Sequence, residues 1–286
     1  MPELPEVETI RRHLAPFVEG RVLERLEILD PLWCEPAPPA SLNDAVRGRR
    51  VDAVGRRGKY LIWSFEDEVH LVMHLRMTGN LLIGDGDRPR YTRVLFALDS
   101  GESIAFTDPR RFGTGVVLLG DDGLDDYFST RLGVEPLSPD FTTDALRALA
   151  RDRKQPVKAF LLTQERVAGV GNIYADEALF RARIHPQRPV GTLKRAQLDA
   201  LRQAVIESLE AGIDACGASI DDFRHPDGAE GTFQNRFQVH LRAGEPCIRC
   251  GTTIKKMRAA GRGTYVCESC QPRPRVRRPP AVGAGR

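Results

Sequence analysis

The chain has no apolar run of about 18 residues, the length a membrane-crossing helix needs, so no span is expected. Its first residues lack the apolar core of a secretory signal; they are acidic and then basic. A soluble, cytoplasmic protein is expected, in a bacterium one that shares the compartment of the nucleoid. No internal repeat is visible. With 286 residues and 41% apolar content, about two domains with real cores are expected. The net charge of +3 conceals an asymmetry. Residues 242–286 carry 11 Lys and Arg against two acids, a balance of +9. Residues 1–241 carry 31 against 37, a balance of −6. A basic end on an acidic chain points to a polyanion partner, although a solubilising tail gives the same signal.

Cysteine is also sparse, and four of the six form Cys247-x2-Cys250-x16-Cys267-x2-Cys270. Two such knuckles at this separation predict a zinc ribbon, because four thiolates close a tetrahedral site. A closed site has no position for water, so the metal is structural. Disulfides are disfavoured in the cytosol. Cys34 and Cys216 stand alone and read as small apolar residues.

What the chain does have is Pro-Glu-Leu-Pro-Glu-Val-Glu at residues 2–8. Removal of Met1 ahead of a small residue would leave Pro2 at the N-terminus. A terminal proline offers a secondary amine that titrates near ~8, so a usable fraction is neutral at physiological pH. Such an amine can attack a sugar carbon and form an iminium. Glu3 and Glu6 stand close enough in sequence to act as general acid or base. The same residues fit a plain helix start, with proline in the first turn and acids at the dipole's positive end. Val7, Ile10 and Leu14 follow at helical spacing.

Strand-like segments follow at 22–29, 50–54, 60–65, 69–74, 80–83, 92–98, 103–107 and 115–119, a pattern that predicts a β-sandwich or barrel. Residues 135–139 (EPLSP) read as a linker. Helical patterns occupy 143–150, 157–164, 173–182 and 195–211, and the loop 224–231 leads to the ribbon.

Several further segments have two readings. In 167–175 (VAGVGNIYA) a glycine turn joins two helices, Asn172 falls where an N-cap belongs, and the free amides could cradle a phosphate. A plain helix hairpin needs the same glycines. Lys59, entering a strand, could meet a phosphate or could be a solvated edge lysine. Met77, Arg110 and Phe112 lie in turn contexts and could fill the gap left by a flipped base, or could simply pack. Arg262 falls at a glycine-flanked hairpin tip between the knuckles, suited to a phosphate.

Together PELPEVE, RRGKYL, HLRMTG, DPRRFG, GVGNIYADEALF and the paired knuckles, in this order, resemble the formamidopyrimidine-DNA glycosylase family, which includes endonuclease VIII. The resemblance spans about residues 2–270. It implies an α+β multidomain fold: an antiparallel β-sandwich (2–134), a helix-two-turn-helix domain (135–231), a zinc-ribbon hairpin (232–271) and a disordered basic tail (272–286). It implies excision of oxidised purines such as formamidopyrimidines and 8-oxoguanine, followed by β,δ-elimination at the abasic site. Pro2 resembles the nucleophile, Glu3 the acid/base at the sugar ring, and Glu6 the support of the N-terminal segment. Lys59, Asn172 and Arg262 resemble the phosphate clamp, with Lys59 and Arg262 counted in the catalytic set. Met77, Arg110 and Phe112 resemble the void-filling residues, and His74 and Lys158 join the DNA-binding set. One structural zinc, damaged double-stranded DNA as partner, and a monomer are implied.

The run PELPEVE and the full-length 217–233 loop resemble the purine branch. The chain departs from the family at Arg76, where glycine is common, at Thr232 in place of an aromatic, and at 239–242, VHLR for VYGR. Two other readings stay open: an oxidised-pyrimidine glycosylase, and a zinc-ribbon DNA-binding protein without catalysis, for which Pro2, Glu3 and Lys59 would be indifferent.

Overall fold

The computed structural model describes residues 2–86, 88–220 and 223–274. The chain opens with α1 (Leu4–Val18), whose Pro5 sits in the first turn, where its missing N–H is no loss. Eight strands and two helices follow: β1 (Leu23–Ile28), α2 (Pro39–Val46), β2 (Val51–Arg57), β3 (Tyr60–Phe65), β4 (Val69–His74), β5 (Asn80–Gly84), β6 (Thr92–Leu98), β7 (Ser103–Thr107), β8 (Thr114–Leu119) and α3 (Asp121–Ser129). They form two antiparallel four-stranded sheets, in the orders β1-β6-β7-β5 and β2-β3-β4-β8.

The inner sandwich faces share one core that includes Leu26, Phe96 and Phe106 from one sheet and Leu61, Trp63 and Met73 from the other. Val7, Ile10, Leu14 and Val18 of α1 join the same core, each 0% exposed. Val72 and Ile62 face the other way and pack under Phe128 of α3. All eight expected strands are present, with ends shifted by a residue or a few. Helices α2 and α3 are additions to the sequence reading. Each is short, and α3 carries Gly123 in its interior, which weakens a helical pattern.

The helical part comprises α4 (Thr143–Ala150), α5 (Val157–Leu162), α6 (Asn172–Arg181) and α7 (Arg195–Asp214) around a second core. Leu4 belongs to this second core while Val7 belongs to the first, so α1 runs from one into the other. A hairpin of β9 (Lys255–Ala259) and β10 (Arg262–Val266) ends the described chain and packs with Phe180 and Val239 in a third, small core. Among the described residues no helix is long and apolar enough to cross a membrane. The expected disordered tail lies, from residue 275 on, outside the described residues, as does Met1.

Candidate active site

Pro2 is buried where α1 enters the second core, and the backbone there is fixed by a hydrogen bond from Leu4 N to the Gly169 carbonyl, 3.1 Å. Glu6 reaches back one turn and accepts from Glu3 N at 2.8 Å. Its other oxygen accepts from the Tyr174 hydroxyl (2.7 Å) and from Ala218 N (2.8 Å). Burial, and then the charge of Glu3, pushes the Glu6 carboxyl up, and these three donors hold it back. Glu6 thus ties the N-terminal segment to α6 and to the start of the 217–233 loop.

The Glu3 carboxylate accepts from Ile173 N at 3.0 Å and from Tyr174 N at 3.5 Å, at the positive end of α6. This corrects two expectations. The N-cap of α6 is Gly171, not Asn172, and the open amides are taken by Glu3 rather than left for a phosphate. The turn is glycine for a steric reason: a Cβ at Gly171 would lie 2.2 Å from Glu3 Cδ, and one at Gly169 2.6 Å from Leu4 Cδ1. Gly169 also holds φ +82, which L side chains rarely adopt. Asn172 turns its amide to the Gly263 carbonyl at 3.1 Å, while its Oδ1 is buried without a hydrogen-bond partner among the described residues.

Three cations converge near these acids. Lys59 is the second residue of a two-residue hairpin between Arg57 and Tyr60, behind Gly58 at φ 57. It is 5% exposed, not the solvated edge residue of the plainer reading. Burial lowers its pKa most, Glu3 and Glu6 act to raise it, and Arg262 acts to lower it. The hairpin is held by Glu135, which accepts from Arg56 (2.6 Å), Arg57 (3.1 Å) and Gly58 N (2.9 Å). The expected linker therefore opens on an anchor.

Arg262 is exposed beside the Ala260-Gly261 turn, both of whose residues have positive φ, as a tight hairpin requires. Behind it lies Lys158, fully buried, donating to Asp176 (2.7 Å), Thr264 Oγ1 (2.8 Å) and the Gly263 carbonyl (3.3 Å). Asp176 also binds His240 Nδ1 at 2.8 Å, and Glu177 accepts from the backbone N–H groups of 238–240. Lys158 thus contacts the hairpin from inside.

Met77, Arg110 and Phe112 project from two adjacent loops, exposed, with the Arg110 guanidinium 4.7 Å from the Phe112 ring centre. Asp108 joins these loops. It binds the Thr78 hydroxyl and accepts from Arg110 N (3.2 Å), Phe112 N (2.8 Å) and Gly113 N (2.7 Å). His74, at the base of the first loop, is buried; its Nδ1 accepts from Arg76 N at 2.9 Å. Burial, then the charges of Arg76 and Lys59, lowers its pKa to about 3, so it is neutral at physiological pH.

The four cysteine sulfurs meet at the root of the hairpin, with separations of 3.9 Å (Cys247–Cys270), 3.5 Å (Cys250–Cys267) and 3.6 Å (Cys250–Cys270). Four sulfurs about 2.3 Å from one zinc stand roughly 3.8 Å apart, so the set fits one tetrahedral structural ion.

The sequence reading missed Asp108, Glu135, Asp176 and Glu177. The only advance signal was two acids inside an otherwise apolar helix, ADEALF.

Comparison with known proteins agrees with this fold. Residues 1–115 match the formamidopyrimidine-DNA glycosylase N-terminal domain, 132–224 its H2TH domain, and 244–273 a zinc finger found in FPG and IleRS. The formamidopyrimidine-DNA glycosylase of Chloroflexus aurantiacus is 44% identical over 95% of this chain and 98% of its own. That of Symbiobacterium thermophilum is 44% identical over 96% and 90%. The crystal structure of the MutM (Fpg) protein of Thermus thermophilus superposes with a TM-score of 0.85 at 40% identity, covering 94% and 98% of the two chains. The Lactococcus lactis FPG mutant in complex with Fapy-dG DNA gives 0.89 at 35%, covering 95% and 100%. A sandwich, an H2TH domain and a four-cysteine hairpin around one acid–cation cluster define a DNA glycosylase of base excision repair. The chain belongs to the formamidopyrimidine-DNA glycosylase family.

Proposed function

We propose that the protein excises oxidised purines from double-stranded DNA and then cleaves the strand, using the amine of Pro2. The observation that carries this reading is the buried Pro2-Glu3 segment, with its acid on the α6 N-terminus and Lys59, Asn172 and Arg262 gathered around it. The neutral amine attacks C1′; the glycosidic bond breaks and the base leaves with its electron pair, taking a proton from water. Glu3 accepts the proton lost by the amine and returns it to O4′ as the C1′–O4′ bond opens, leaving an iminium at C1′. Loss of a C2′ proton then expels the 3′ phosphate, and loss of a C4′ proton expels the 5′ phosphate. Water releases the sugar fragment and restores the amine. Lys59, Asn172 and Arg262 hold the backbone phosphates. Met77, Arg110 and Phe112 fill the space of the flipped nucleotide, which offsets part of the few kcal/mol that flipping costs. His74 supports the Met77 loop, and Lys158 the hairpin that carries Arg262, each from behind.

The purine preference has support in the L. lactis Fpg complex with Fapy-dG DNA. A second reading, an oxidised-pyrimidine substrate, has support in the complex of wild-type L. lactis Fpg with oxidised-pyrimidine DNA. The protein acts as a monomer in the cytoplasm, at the nucleoid. Borohydride trapping on a labelled duplex with 8-oxoguanine opposite cytosine tests the reading. A covalent band is expected, and it disappears in Pro2→Gly. A band with oxidised pyrimidine alone moves the substrate to the second reading. No band with either lesion or an abasic site ends the lyase proposal.

A further inference from the structure

Away from the Glu3 cluster, His13 of α1 meets His225 and Asp227 of the 217–233 segment. One ring nitrogen of each histidine and a carboxylate oxygen of Asp227 lie within 4.8 Å of one another. The two imidazole centres are 5.1 Å apart. The hydrogen bonds fix one tautomer: His225 Nε2 lies 2.8 Å from the Cys216 carbonyl oxygen. A carbonyl only accepts, so Nε2 is the donor, and in the neutral ring that leaves the Nδ1 lone pair for a ligand bond. Ligating histidines are oriented in this way, the other ring N–H given to a backbone carbonyl. His13 Nδ1 is buried and has no hydrogen-bond partner among the described residues, a state that buried polar atoms seldom show.

We propose that His13, His225 and Asp227 bind one divalent transition-metal ion of the zinc class, which fastens the 223–230 segment to α1. Two imidazoles and a carboxylate suit Zn2+, Co2+ or Ni2+ over the hard ions, which take oxygen. Three protein ligands leave a remaining position for water. The segment is tied to the sandwich by the Pro226 carbonyl, which accepts from Ile83 N at 2.8 Å, and by Phe223 in the sandwich core. The longer 217–233 loop, to which these residues belong, meets Glu6 through Ala218 N. The ion therefore sets the outer end of a loop whose inner end closes on Glu6. This site holds no thiolate and is separate from the four cysteines.

The test uses untagged full-length protein with the cysteine-bound zinc in place, titrated with Zn2+ by calorimetry and with Co2+ by absorbance. One further equivalent per chain is expected, with weak visible Co2+ bands and no thiolate charge-transfer band. His13→Gln and Asp227→Asn each lose that equivalent while circular dichroism and the cysteine-bound zinc are unchanged. The proposal is overturned by no equivalent beyond the structural zinc. It is equally overturned by a further equivalent that carries a thiolate band, or by one that survives both substitutions.

Discussion

The cap of a helix usually comes from its own sequence, but α6 takes its carboxylate from Glu3, 170 positions earlier. A local pattern could show the glycine turn and not the acid that fills it, which is why Asn172 looked like the cap. Two of the family departures fall where the backbone is strained; Thr232, at φ −121, does not, and nothing in the structure explains it. Arg76 and Leu241, both at positions where the family favours glycine, hold φ 54 and φ 60. A side chain there costs about 1–2 kcal/mol, and glycine costs about 0.5–1 in the unfolded chain. Arg76→Gly and Leu241→Gly should each stabilise by up to about 1 kcal/mol, read from the denaturant midpoint; a loss at either position would contradict the strain argument. Acid should act in two steps. Buried His74 stays neutral down to about 3 whereas an unfolded histidine protonates near 6.5, so stability falls as pH drops below 6.5. Burial pushes Glu8 up, but Arg11, Arg12 and Arg56 outweigh it and hold Glu8 at about 2, so its contribution, present above 4.5, is lost from there toward pH 2. Denaturant titrations at pH 7 and pH 5 should show the first step, and it should shrink in His74→Gln.

At the scale of elements, α6 does the most. Its N-terminus holds Glu3, and its interior acids hold Lys158, His240 and the backbone of 238–240, and through them the hairpin that carries Arg262. The structure gives those acids an internal task. Asp176→Asn leaves Lys158 buried without its counter-charge. Breaking such a pair costs about 3–5 kcal/mol, and the hairpin should become protease-sensitive while the sandwich strands persist. Removing zinc with a chelator should do the same at the other end of the hairpin, because four free thiols cannot replace the ion. DNA binding should fall in parallel, and binding that survives full zinc loss would contradict a supporting role. Strands were easy to read because short apolar runs recur at regular spacing between turn residues, even where β4 and β7 are buried along their whole length. Helices α2 and α3 were not, since each is short and α3 carries Gly123 in its interior.

At the scale of the molecule, α1 is the joint. One residue, Leu4, lies in the helical core and the next apolar residues lie in the sandwich core, so the N-terminus is fixed where the two meet. Glu135 closes the same junction from the other side by binding Arg56, Arg57 and Gly58. The cluster of Glu3, Glu6, Lys59, Asn172 and Arg262 was legible as separate motifs because each has its own local signature. What was not legible is the long-range scaffold beneath it. Glu135 and Asp176 gain meaning only from partners far away in sequence, and Asp108 ties its own turn to Thr78, on another loop.

The measurement that tests the account most directly is mass spectrometry of the borohydride-trapped protein after proteolysis. The account predicts the sugar fragment on the N-terminal peptide, attached at the Pro2 nitrogen, with Met1 removed. A fragment attached to Lys59, to Lys158 or to any other lysine, with the N-terminal peptide unmodified, would contradict it.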